Sequence, residues 1–306
     1  MNRTLFVLSL WLATLPAQSA VFRFEPMDDK SLCLYDGQKP VFVYNHGIIQ
    51  STNAPPDRAR STYIHPLYGL DGEVLTDDFP KDHYHHRGLF WAWPHVIIEG
   101  SEHDLWMLKG IEQRFDRWLK RSAGKSSAVL KAQNYWVAQG RKAMKEVVEI
   151  TVYPAQNDCR AMDLSFVYTP IGQPVTLRGA EGKSYGGLTL RFAPGSQRLI
   201  TTSSGIHDKD LPMTPLSWAD LTATYPGLEA PRGVAIFVSA SHPDYPPTWL
   251  TRHYGVLCVG WPGVEGKTLS PGKSVRCKYR VLVHKNTMSG QELQGLYGEY
   301  LRNAGR

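Results

Sequence analysis

Three histidines fall within four positions of "KDHYHHRGLFWAW" (residues 81–93), with Asp82 before them, Arg87 after them, and Phe90, Trp91 and Trp93 close behind. Imidazole is the side chain whose ordinary pKa lies nearest neutrality, so a cluster of this kind can move protons, bind a metal, or serve only as hydrogen-bonding filler. In the acid–base reading His85 and His86 are the proton-transfer candidates, Asp82 orients one of them, and Arg87 neutralises an oxyanion. In the metal reading, extended backbone puts His83 and His85 on one side of a strand and Asp82, Tyr84 and His86 on the other. Two imidazoles at i and i+2 then chelate one ion, and His65 in "YIHPLYG" supplies a third ligand for zinc or copper. In the structural reading the rings hydrogen-bond backbone carbonyls at a crowded turn. Placing three imidazoles beside Asp82 and Arg87 as mere filling would cost heavily in desolvation, which favours a site.

A second constellation, "SHPDYPPTWLTRHYG" (residues 241–255), carries His242, Asp244, Trp249, Arg252 and His253 in a proline-stiffened loop. We expect it over the same rim as the first cluster, with His253 as a further proton-transfer group. Flat apolar faces beside hydrogen-bonding edges suit a pyranose ring, which carries C–H on its faces and hydroxyls around its edge. The expected ligand contacts are therefore Trp91 and Trp249 for the ring, Arg87 and Arg191 for anionic or carbonyl oxygens, and His65 and His83 for hydroxyls.

Other motifs lead elsewhere or are absent. "GKSYG" (residues 182–186) has the G-x-S-x-G form of a hydrolase nucleophile elbow, but the alternating "GLTLRF" that follows is a strand, where an elbow needs a helix. The same stretch lacks the upstream glycine of a phosphate-cradling loop, and dinucleotide fingerprints and HExxH are missing.

The elements that must hold these residues are strands. In "KEVVEITVY" Val148, Ile150 and Val152 alternate with Glu149 and Thr151, and in "RAMDLSFVY" Met162, Leu164 and Phe166 alternate with Asp163 and Ser165. "GGLTLRF" has Leu188, Leu190 and Phe192 inward, and "VRCKYRVLV" repeats the pattern. Strands with one wet face belong to antiparallel sheets. One helix is expected at the C-terminus, where Ser289 and Glu292 form a capping box ahead of Leu293, Leu296, Tyr297, Tyr300 and Leu301. The fold class this predicts is all-β, a large antiparallel β-sandwich with one C-terminal helix and with function on the loops of one rim.

The 306 residues show no linker long enough to divide them. Arg3, the apolar run from Leu5 to Leu15, and "PAQSA" fit a secretory signal over residues 1–20, leaving 21–306 as one sandwich domain and a periplasmic or secreted location. The run is too short for a membrane span, and none follows it. Lys plus Arg exceed Asp plus Glu by 34 − 28 = 6, spread along the chain rather than gathered in a patch, which argues against nucleic acid as a partner. Four cysteines without CxxC spacing exclude a disulfide scaffold; if one bridge forms, Cys258 and Cys277, on neighbouring strand-like runs, are the expected pair.

The blocks "RSTYIHPLYGLDGEVLTDDFPKDHYHHRGLFWAW", "YGGLTLRFA", "GVAIFVSASHPDYPPTWLTRHYG" and "YRVLVH" resemble, in order from about Arg60 to about His284, an uncharacterised family of mostly secreted bacterial proteins labelled "methane oxygenase PmoA". The multi-span membrane protein which that label implies does not fit this chain; a soluble β protein does. Members of the family accompany sugar-processing enzymes, which implies carbohydrate metabolism. A looser likeness is to the galactose-mutarotase type of supersandwich, where a histidine and a carboxylate act on a sugar ring. Together these readings predict an exported protein acting on a sugar or oxidised sugar by histidine acid–base chemistry, as epimerase, lyase or hydrolase. Its partner is a small-molecule or oligosaccharide ligand, and no cofactor is implied. A non-catalytic carbohydrate-binding protein and a histidine-ligated metalloenzyme are the alternatives.

Overall fold

The structure, a computed structural model, describes residues 21–304. The expected secretory signal lies outside them. Two nine-stranded antiparallel sheets make up most of the chain. Across the first run the strands Phe22–Pro26, Ser31–Asp36, Lys39–Asn45, Tyr63–Leu67, Leu89–Ala92, Gly187–Arg191, Val256–Gly260, Thr248–Arg252 and Leu211–Pro215. Across the second run Gly205–His207, Ser196–Thr202, Trp218–Thr224, Arg232–Val238, Val275–Lys285, Cys159–Pro170, Arg141–Val152, Ala128–Ala138 and Ile111–Ala123. A four-stranded sheet joins Lys267–Leu269, Val175–Arg178, His95–Ile98 and Ser101–His103. The all-β, antiparallel class read from the sequence is the class observed.

Alternation sets the core. Val148 pairs with Phe166 and Ile150 with Leu164 across neighbouring strands of the second sheet, and all four are buried. The first sheet meets them from the other side: Trp91 stacks at 4.7 Å on Phe166, and Trp93 at 5.1 Å on Trp136. Because Trp91 is opposite Leu188 in register, that pair faces the second sheet, and the next pair along, Phe90 with Thr189, faces away from it.

Two expectations need correction here. The strand Gly187–Arg191 was expected to have one wet face, yet every residue of it is buried, because chain segments lie over its outward side. Cys258 and Cys277 sit on strands of different sheets, so they do not form an antiparallel pair, and all four cysteines are free thiols.

The C-terminal helix Gly290–Ala304 begins as its sequence predicts. The backbone N–H of Ser289 donates to Glu292 Oε2 at 2.8 Å and that of Glu292 to Ser289 Oγ at 3.2 Å. Its apolar stripe, with Leu293, Tyr297 and Tyr300 buried, packs on Trp218, Ala235, Phe237 and Leu282, the outer side of the second sheet.

Within that sheet a buried ion pair joins two strands that are not hydrogen-bonded neighbours. His284 Nε2 donates to Asp220 Oδ1 at 2.9 Å, and Nδ1 donates to the Asn286 carbonyl at 3.0 Å. Gly233 lies between them; a Cβ there would stand 2.2 Å from the His284 ring. Burial works against the charged ring, but Asp220 and the carbonyls of Lys285 and Asn286 outweigh it and raise its pKa above 6.5. A pKa raised on folding contributes stability below the unfolded value and loses it as pH rises through the folded value. The thermal midpoint is therefore predicted to fall as pH is raised from 6 through the folded pKa of His284, and His284→Gln should remove that component; a profile identical in both proteins would refute it.

Candidate functional site

The outward side of the first sheet is where the histidine cluster sits. Residues 81–88 are successive turns rather than the extended strand expected from the sequence: the His83 N–H donates to the Pro80 carbonyl at 2.9 Å, and the His86 N–H to the His83 carbonyl at 2.8 Å. Such i to i+3 turns bring side chains three apart into line. The rings of His83 and His86 accordingly stack at 4.7 Å and 15°, while His85 meets both edge-on at 5.6 and 4.6 Å. The strand geometry that would have paired His83 with His85 as chelators does not exist.

These three rings line a cleft of about 190 Å³ together with Trp106, Met107, Lys183, Tyr185, Leu250, Arg252, Tyr254 and Val256. Its floor follows from register. Arg252 is opposite Val256 and Leu250 opposite Cys258, which in turn is opposite Thr189, so these side chains share the face that Phe90 occupies. Phe90 lies under Trp106 at 5.1 Å, and Trp106 packs on Tyr185 at 4.7 Å. Tyr254 covers His83 from the other side, stacked at 5.3 Å and 7°. The two constellations thus converge, over a sheet face rather than at a rim, through Arg252 and Tyr254.

Electrostatics divide the three histidines. Burial, then His83, Arg60, Arg58 and Arg87, push His85 down to about 3. His86, 3% exposed, is lowered well below its ordinary value by burial, by the other two histidines, and by Arg191 and Arg60. Its Nδ1 is buried with no hydrogen-bond partner. Both rings are therefore neutral at physiological pH. His83 Nδ1 lies 3.0 Å from Asp82 Oδ2. Asp82 is itself held by Arg191, whose Nη2 donates to both carboxylate oxygens at 2.9 and 3.0 Å. Burial alone would raise Asp82, but His83 and Arg191 keep its carboxyl below the usual range. The orienting carboxylate expected for His85 or His86 serves His83.

Several expected contacts go elsewhere. Arg87 is fully buried, and its guanidinium donates to the carbonyls of Tyr84 and His86 at 2.9 and 2.6 Å and to that of Arg58. It stands 3.5 Å over the Phe79 ring, with Nε 3.4 Å from Asp78. Its oxygens are the protein's own, so it shapes the histidine turns and is not presented to a ligand. Trp91 is buried in the core between the sheets, and so is Trp249, whose Nε1 donates to the Leu216 carbonyl at 2.8 Å; period-two alternation carries both away from the cleft. Trp106, on an irregular segment, takes the place expected for them. His65 faces Thr76 Oγ1 at 3.0 Å, lowered to about 4 by burial and then Arg87, and does not line the cleft.

In the second constellation, His253 turns both ring nitrogens onto acceptors, Asp210 Oδ1 and the His207 carbonyl, each at 3.0 Å, so neither is open to a substrate. His242 is buried against Tyr279, 3.0 Å from its hydroxyl. Ser184 is buried with φ of 65°, bonded to Thr248, and precedes a strand, unlike an elbow nucleophile. Sequence reasoning missed Tyr185, Tyr254 and Lys183; the first and last sit in the discounted "GKSYG", and Tyr254 follows His253 directly. Among the described residues no group of three or more His, Cys, Asp or Glu is placed to hold a metal ion, and no helix is long and apolar enough to cross a membrane.

A larger hollow of about 870 Å³ lies between the C-terminal helix and the second sheet, lined by Tyr153, Ala161, Phe237, Leu282, Leu296 and others. Its arginine, Arg280, is already bidentate on Asp163 at 2.6 and 2.9 Å. Gln156, Asn157, Glu299 and Asn303 also line it, but no histidine does.

A family model described as "Family of unknown function (DUF6807)" matches residues 31–298, and the chain belongs to that family. The description carries no trace of the oxygenase label that the sequence blocks suggested. No curated protein matches. Among solved structures, the heparan sulfate lyase HepC from Pedobacter heparinus is similar at 7% identity and a TM-score of 0.42, over 89% of this chain and 36% of the lyase. A galactose mutarotase related enzyme from Lactobacillus acidophilus is similar at 10% identity and 0.37, over 88% of this chain and 98% of that one. The GalM/aldose epimerase homologue from C. elegans follows at 7% and 0.32, over 88% and 100%. The chain spans about a third of the length of the lyase, and at these scores none of the three bears on its chemistry.

Arg87→Lys is predicted to destabilise the protein by about 2–4 kcal/mol, since a point ammonium cannot replace a planar fork that reaches three buried carbonyls. Urea unfolding midpoints measure it; an unchanged midpoint would show that the guanidinium is dispensable to the histidine turns.

Proposed function

We propose that this member of the family is a carbohydrate-active enzyme that moves a proton on a single sugar ring, with His83 as the transferring group, Asp82 as its orienting partner and Arg191 as the residue that positions Asp82. The observation that carries this reading is the 3.0 Å approach of Asp82 Oδ2 to His83 Nδ1, an ion-pair distance without hydrogen-bond geometry, on a ring that also lines the cleft. A carboxylate this close to one ring nitrogen favours the proton on that nitrogen and leaves the other to exchange a proton with a substrate. His85 and His86, held neutral, serve as hydrogen-bonding groups for hydroxyls. Trp106, Tyr185 and Tyr254 offer the flat faces that suit the C–H side of a pyranose.

Size and charge narrow the reaction. A cleft of about 190 Å³ is smaller than the roughly 300 Å³ at which typical small-molecule sites begin, which favours one ring over an oligosaccharide. None of the described residues lining it is a carboxylate, whereas glycoside hydrolysis ordinarily uses a pair of them flanking the bond. Epimerisation or elimination, begun by proton abstraction, fits better than hydrolysis. The leader-like segment at residues 1–20 supports export as part of the proposal.

The test is proton exchange. Incubated in D₂O with aldoses, uronates and keto sugars, the protein is predicted to wash out a C–H signal from at least one of them in ¹H NMR, with or without net conversion. His83→Gln should slow this by about 10²–10⁴-fold, the range of a lost general base, and Asp82→Asn by less. Undiminished exchange in His83→Gln would exclude His83 as the base. Sugar binding with no exchange or conversion across the panel would favour the non-catalytic binding protein.

A further inference from the structure

We propose that the ring accepted by this cleft is acidic, a monosaccharide unit bearing a carboxylate, and that Lys183 is the residue that selects it. This rests on the sugar-ring reading above and adds the substrate class. The two formally charged side chains that line the cleft are both cations, Lys183 and Arg252. Arg252 is matched by Asp210, with Nη1 donating to Oδ2 at 2.9 Å. Among the described residues Lys183 meets no carboxylate within ion-pair distance.

The wall behind them is also positive. Arg60 is 2% exposed, and its guanidinium donates to the carbonyls of Leu105 and Trp106 at 2.7 and 2.8 Å and reaches Gln113 at 3.4 Å; all three partners are neutral. Arg191 is buried, with Nη2 on Asp82 its one hydrogen-bonded nitrogen; Nε lies 4.0 Å from Asp77 Oδ2, and Nη1 has no hydrogen-bond partner. The nearby carboxylates Asp57, Asp82 and Asp210 each stand against an arginine, and Asp77 beside Arg191 with Asp78 and Asp104 acting on Arg60 offset the wall in part, which leaves Lys183 as the cation lining the cleft with no carboxylate of its own. His85 and His86 register the same field, since after burial the largest charged influences on them are arginines and the other histidines. A neutral polyol would leave this field unanswered, and a ligand carboxylate answers it in a site too small for a second sugar. Lys183 is exposed at the cleft mouth, where its removal should not disturb folding.

The experiment is isothermal titration of the full chain with D-glucuronate, D-galacturonate, glucose, galactose and glucose 6-phosphate, in low and high salt. At least one uronate is expected to bind about tenfold more tightly than its neutral parent, the scale of one charge-assisted contact. High salt and Lys183→Gln should each remove most of that preference. Equal or tighter binding of the neutral sugars overturns the inference and leaves the proton-transfer reading standing. A persistent uronate preference in Lys183→Gln overturns the role of Lys183, and glucose 6-phosphate outbinding both uronates overturns the carboxylate assignment. Failure of every sugar to bind overturns the inference and the sugar-ring reading together.

Discussion

The cleft depends on a buried guanidinium that binds its own chain. Residues 81–88 have no strand partner of their own, and a turn-rich segment of this kind ordinarily lies in water, where its carbonyls are solvated. Here the carbonyls of Tyr84 and His86 point inward, and Arg87 satisfies them together with that of Arg58. Phe79 stacks beneath the guanidinium, and Asp78 stands beside it, raised to about 6 by burial against the pull of Arg87 and Tyr63. Left unpaired, a buried charge of this kind would cost several kcal/mol, so the turns and the arginine can be ordered only together. The stacked register of His83 and His86 is a product of that mutual requirement.

Arg60 does for the opposite wall what Arg87 does for the histidine turns. It holds the carbonyls of Leu105 and Trp106, and through Gln113 it reaches Glu146, a buried carboxylate of the second sheet that also accepts from Asn134 and Trp136 at 2.8 Å. Glu146 is raised by burial and eased by those donors. A line of polar contacts thus runs from the interior of the sandwich to the aromatic wall of the cleft. The side effect of using arginines as struts is a positive field at the imidazoles. Burial and that field are why His85 and His86 stay neutral, and a neutral imidazole can accept a hydrogen bond where imidazolium could not.

Sequence legibility followed range. Local patterns were readable: the alternation that set the strands, the capping box at Ser289 and Glu292, and the density of histidines at 83–86 as the centre of a cleft. The errors came where a short pattern was carried past its own segment. Treating 82–87 as extended put His83 beside His85, although Pro80 and Gly88 bracket a stretch with no apolar alternation to hold it as a strand. The expectation of Trp91 as a ring contact conflicts with the period-two rule, which sends Trp91 and Trp93 to one face and Phe90 to the other. Arg87 could not have been assigned, because its partners are backbone carbonyls, which carry no sequence signature. Tyr185 and Lys183 lie in a segment whose motif resemblances, to a hydrolase elbow and a phosphate-cradling loop, say nothing about the sheet face it covers.

In the proposed reaction the transferring role falls to His83 rather than to the two imidazoles packed against it. For His86 to take a proton, the charge would have to sit among Arg60, Arg191 and two other histidines in a site that water scarcely reaches. His85 faces the same cations from a less buried position. His83 has a carboxylate at one nitrogen, itself held by an arginine, and the flat faces of His86 and Tyr254 on either side. A ring clamped on both faces keeps its edge as its reactive surface, and the plane of that edge is fixed before any ligand arrives. Preorganisation of this kind removes the reorientation that a free imidazole would need at the moment of transfer. The neighbouring histidines then matter less as acids or bases than as the stack that sets the direction in which His83 points.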